Sequence, residues 1–79
     1  MTFDKSRVYT ALNADELKAG DKVFVADNIA DMKKRVTSDK YTEYIDCLDH
    51  ISSEDDQYRF VTVDGACALA YLVERAEDL

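Results

Sequence analysis

Proline and tryptophan are missing from the 79 residues, glycine occurs only twice and histidine once. Without Pro- or Gly-rich stretches there is no linker to divide the chain, and the composition is not that of a disordered tail. One domain over residues 1–79 is therefore expected. No apolar run approaches the roughly 18 residues of a membrane-crossing helix. Met1 to Arg7 has no apolar export core, so a cytoplasmic setting with two reduced thiols is expected. Neither a Gly-rich phosphate loop nor a Walker pattern is present. Cations are in the minority, with 10 Lys and Arg against 17 Asp and Glu and a net charge of −7. Phosphate affinity comes from Lys and Arg, so direct nucleic-acid binding and anionic membranes are disfavoured. A basic protein surface is the better-matched partner.

What the chain does have is one long apolar stretch, Ala66 to Val73. Eight residues suit a strand buried on both faces. Before it come Tyr58 to Val63, with Asp64-Gly65 between the two. Asp-Gly at this position signals a two-residue hairpin loop, because both loop positions need positive φ. The register this predicts sets Val63 opposite Ala66, Phe60 opposite Leu69 and Tyr58 opposite Tyr71. One face then carries Tyr58, Phe60, Thr62, Cys67, Leu69, Tyr71 and Val73, and should meet a helix or the main core. The other carries Arg59, Val61, Val63, Ala66, Ala68, Ala70 and Leu72, and suits a close second layer. The competing reading is a C-terminal helix from Ala66 to Glu77, favoured by its Ala, Leu and Glu content.

Upstream, Arg7–Ala11 reads as a short strand. Asn13-Ala-Asp-Glu16 reads as a capping box opening one or two helical turns, stopped by Gly20 as the C′ glycine. Lys22–Ala26 reads as a strand with Val23 and Val25 on one face. Asp27 or Asn28 should cap the next helix, where Ile29, Met32 and Val36 form an apolar stripe. Lys33, Lys34 and Arg35 fall in its last turns, complementing the dipole. Thr42–Ile51 fits a helical period through Tyr41, Tyr44, Ile45, Leu48 and Ile51. A bulged strand is preferred there, because an isolated hairpin needs neighbours. Ser52–Gln57 reads as a polar turn. The fold class is thus α+β: a small bent antiparallel sheet of about four or five strands, with a C-terminal hairpin, one main helix and one short helix.

Two blocks carry a resemblance. They are Val8 to Asn28, and Tyr58-Arg-Phe-Val61 followed by Ala68 to Glu74. Together they resemble small uncharacterised proteins of phages and prophages of gut Firmicutes. The resemblance implies a short phage protein acting in a bacterial host cytoplasm, where such proteins bind and block host components. It carries no catalytic residue.

The candidate site is an acidic tract. Between Tyr41 and Tyr58 stand Glu43, Asp46, Asp49, Glu54, Asp55 and Asp56 without a single Lys or Arg. On an extended strand alternate residues lie ~6.6 Å apart, comparable to phosphate spacing, so an edge of carboxylates would imitate a nucleic-acid backbone. Tyr44 and Tyr58 would supply aromatic anchors. Cys47, His50 and Cys67 are the soft-ligand candidates, but a structural zinc site needs four ligands. Buried thiols, no metal, no cofactor and no catalytic residue are expected. The expected function is inhibition of a basic, nucleic-acid-binding host protein through this surface. The alternative is an accessory binding module, a homodimer through the aromatic hairpin.

Overall fold

The computed structural model describes residues 1–54 and 57–76. Their architecture is α+β, with one α-helix and seven short antiparallel strands in two sheets. The strands are β1 (Val8–Tyr9), β2 (Lys22–Ala26), β3 (Asp46–Cys47), β4 (His50–Ser52), β5 (Arg59–Thr62), β6 (Gly65–Cys67) and β7 (Leu69–Glu74). The helix, α1, spans Ile29–Thr37. One sheet runs β1-β7-β2-β3 and the other β4-β5-β6. Single turns of 3₁₀ helix occupy Lys5–Arg7, Ala14–Glu16 and Tyr41–Tyr44. The radius of gyration is 11.6 Å.

The two sheets are joined at corners where the chain passes from one sheet to the other. Leu48 and Asp49 make one corner. Leu48 donates its N–H to the Asp21 carbonyl and accepts from Gly20 N–H, both at 2.8 Å, while Asp49 N–H turns to the Val61 carbonyl, also at 2.8 Å. Ala68 makes the other, its N–H donated to Asp27 Oδ1 at 3.2 Å. Taken as continuous runs, the seven segments reduce to five strands, two of them bent.

Alternation along β2 and β7 splits the apolar side chains between the two faces of the four-stranded sheet. Phe24, Ala26 and Tyr71 pack with Met32 and Val36 of α1, backed by Leu69 and Val73. Val23, Val25, Ala70 and Leu72 pack instead with Phe60, Leu48, Leu17 and Tyr9. Burying a side chain such as Phe60 stabilises by roughly 1.5–3 kcal/mol, so both cores matter. The expected division of β7 holds, with its bulky residues toward the helix and its small ones toward the second layer. Between Lys22 and Val23 the β2–β7 register shifts, and Lys22 reaches Glu74 at 3.6 Å.

Local signals explain much of this. Asn28 is the helix cap, its Oδ1 accepting from Asp31 N–H at 2.9 Å. Met32 and Val36 are buried, whereas Ile29, on the same stripe but at the first position of the helix, is exposed. The C-terminal run is strand through Glu74, as preferred over the competing helix. Other expectations are corrected. The hairpin turns at Val63-Asp64, with Gly65 already opposite Thr62, so Phe60 faces Cys67 and Val61 faces Ala66. Tyr58–Tyr71 and Phe60–Leu69 are not neighbours across strands: Tyr71 lies between Val8 and Phe24, and Phe60 belongs to the opposite core. The turn position sets Phe60 against Cys67, and Ala68, where the chain leaves the hairpin for the other sheet, carries Leu69 and Tyr71 away from it.

The capping box does not form either. Asn13 accepts through Oδ1 from Thr10 N–H at 2.8 Å, reaching backward instead of into the turn it precedes. Gly20, at φ 96°, lies beyond the end of that turn and serves the corner contact with Leu48. Thr42–Ile51 is not one bulged strand. It comprises a 3₁₀ turn, β3, the Leu48–Asp49 corner and the start of β4.

Candidate protein-binding site

The structure distributes the acidic tract over successive elements. Glu43 and Tyr44 are exposed on the 3₁₀ turn that packs beside α1. Asp46 is half-buried on β3, at the edge of the four-stranded sheet. Asp49 is exposed at the corner, and Glu54 is exposed after β4, itself an edge strand. Tyr58 is exposed just before β5. Asp55 and Asp56 lie outside the described residues. Glu43, Asp46 and Asp49 therefore do not form a straight carboxylate ladder on one strand, because the 3₁₀ turn and the Leu48–Asp49 corner change the chain direction between them.

Local chemistry differs along the tract. Asp49 is paired with the neighbouring His50, Oδ2 to Nδ1 at 2.6 Å, both side chains being exposed. Asp46 faces the hairpin tip. Burial holds its carboxyl above the usual carboxylate range, and hydrogen bonding and repulsion from the Asp64 carboxyl add to this. The Thr62 hydroxyl and the charge of Arg35 pull in the opposite direction. Asp64 was not singled out by sequence reasoning, which assigned it to the loop. Only its place in the turn hinted that it would project toward a neighbouring strand.

Arg35 comes from the far end of α1 to this region. It donates to the Val25 carbonyl and stands over Tyr44, with its Cζ 5.9 Å from the ring centroid. Tyr44 is thus partly engaged by the protein's own cation. Two exposed apolar residues were also missed: Val63 at the hairpin tip, 91% exposed, and Leu12, 97% exposed.

The thiols are free. Cys67 is half-buried against the Phe60 core, and burial, with the charge of Asp27, pushes its thiol up. Cys47 is exposed on β3, which corrects the expectation of two buried thiols. No group of three His, Cys, Asp or Glu side chains that could hold a metal occurs among the described residues. No helix among them is long and apolar enough to cross a membrane.

Fold and site together define a small α+β protein with acids on its sheet edges and corner. Compared with family models, curated proteins and solved structures, the chain has no match in any of the three.

Proposed function

We propose that this chain is a non-enzymatic binding protein whose acidic tract engages a basic protein surface. The observation that carries this reading is the exposure of Glu43, Asp49 and Glu54, none of which is ion-paired with a Lys or Arg among the described residues. Uncompensated carboxylates on one tract favour a fast, salt-sensitive encounter with a cationic partner. The phage resemblance extends the proposal to inhibition, in a bacterial cytoplasm, of a nucleic-acid-binding host protein such as a defence or transcription factor. The competing role for such charges is protection of sheet edges against edge-to-edge pairing. That role requires no partner.

The alternative reading, a homodimer through the aromatic hairpin, draws less support. Phe60 and Tyr71 are consumed by the chain's own cores, leaving Tyr58 and Val63 exposed.

The test is a triple variant, Glu43→Gln, Asp49→Asn and Glu54→Gln, compared with wild type in capture of basic host proteins over a salt series. Wild type should capture a defined basic protein at low salt and release it as salt rises. Once that protein is purified, the variant should associate with it roughly tenfold more slowly at low salt while keeping its thermal stability. Equal association of the two across the series would refute the acidic-tract reading. A salt-insensitive, concentration-dependent dimer in sedimentation would favour the hairpin reading instead.

A further inference from the structure

The same molecule carries a hollow of opposite sign. Its volume is about 440 Å³, and it is lined by Asp31, Lys34, Arg35, Ser38 and Tyr44 between the C-terminal half of α1 and the 3₁₀ turn. We infer that this hollow is a binding site for a small phosphate monoester.

Three observations support the inference. First, two cations line one concavity of a protein whose net charge is −7, and neither is ion-paired with a carboxylate among the described residues. Asp31, one turn before Arg35, would be the natural partner. Its carboxylate instead accepts from Asn28 Nδ2 at 3.1 Å. Second, Arg35 is already ordered. The Val25 carbonyl and the Tyr44 ring hold its guanidinium in place, so little side-chain entropy remains to be lost when an anion arrives. A planar guanidinium with unused N–H donors suits phosphate oxygens, and Lys34 adds a point charge. Third, the hollow falls within the ~300–1,000 Å³ range of small-molecule sites, larger than a bare phosphate needs. The remaining space borders the exposed Tyr44 ring, where a flat organic group can stack.

The C-terminal dipole of α1 and the Asp31 carboxylate both oppose an anion here and reduce the net attraction of the two cations, which is why only millimolar affinity is expected. The Ser38 hydroxyl oxygen accepts from Lys40 N–H at 3.1 Å, leaving its own proton available to donate. The proposal uses Tyr44 but none of the carboxylates on which the basic-partner reading rests, so it stands or falls separately from that reading.

The test is titration of the full chain, followed by backbone amide NMR at low salt, with AMP, ribose 5-phosphate, inorganic phosphate and adenosine. Saturable shifts centred on Lys34, Arg35, Ser38 and Tyr44 are expected in the millimolar range, strongest for AMP and absent for adenosine. Lys34 is exposed, so Lys34→Gln should fold normally and weaken AMP binding roughly tenfold, the loss of one charged contact. Tyr44→Ala should reduce AMP to the level of ribose 5-phosphate. The Glu43/Asp49/Glu54 triple variant should retain AMP binding. Non-saturating shifts, shifts undiminished by Lys34→Gln, or equal response to adenosine would overturn the proposal and leave an ordinary solvated pair of cations.

Discussion

Replacing Asp21 by alanine should destabilise the protein more than any surface change in the acidic tract. Asp21 is 1% exposed. Its Oδ1 accepts from Ala76 N–H at 2.7 Å and its Oδ2 from Lys18 N–H at 2.9 Å. The residue also presents its own carbonyl to Leu48 at the strand corner. One carboxylate thus ties the loop before β2 to the segment after β7. A hydrogen bond to a charged group contributes roughly 1.5–3 kcal/mol, which would give about 3–6 kcal/mol for two. Both amides are only partly buried, so water can reach them after truncation, and about 2–4 kcal/mol is the expected loss. For a chain of this size that corresponds to a fall in Tm of roughly 10–25 °C. Asp21→Asn keeps one acceptor oxygen and turns the other position into a donor facing an N–H, so its cost should be intermediate. Thermal and urea unfolding followed by circular dichroism would measure both, and hydrogen exchange would read the Ala76 and Lys18 amides directly. If Asp21→Ala melts within a few degrees of wild type, the carboxylate knot contributes little and the reasoning is refuted.

Asp46 gives the opposite sign. Its folded-state pKa is raised, so its contribution is fully present below the ordinary carboxylate range and is lost as pH rises through the folded value. Asp46→Asn should therefore raise Tm near neutral pH, with the gain shrinking toward about pH 4; thermal melts across pH check this, and a constant difference would contradict it. At Gly65, φ is 127° and a Cβ would meet nothing within 4 Å, so Gly65→Ala should cost about 1–3 kcal/mol in urea unfolding, from backbone strain alone. Gly20→Ala should cost more, because φ is 96° and the new Cβ would also lie 3.3 Å from that of Ala76.

Elements whose causes are local could be read in the sequence. Lys22–Ala26 is a strand with the expected bounds, and Asn28 caps α1 through a contact three residues away. The corners could not be read. Ala68 interrupts a run of eight apolar residues only because Asp27, 41 positions earlier, takes its N–H. Leu48 likewise turns because its backbone is held by Gly20 and Asp21. Each corner hands the later residues to the other sheet, so the separate company of Phe60 and Tyr71 could not be read, while the hairpin register followed the turn at Val63-Asp64. The candidate site fared similarly. Exposure of Glu43, Asp49 and Glu54 follows from charge alone, but the approach of Asp46 to Asp64 depends on how β3 meets the hairpin tip.

The place of β7 in the sheet has a consequence for synthesis. It lies between β1 and β2, yet it is translated after both. A nascent chain holding residues through β6 has the helix and one hairpin, but no centre for its larger sheet. The edge of β2 that pairs with β7 stays open until residues 69–74 leave the ribosome. Folding must then close contacts between distant parts of the chain in a single late step, which is slow relative to helix formation. During that interval Val23, Phe24 and Val25 form the segment most prone to pair with another nascent chain.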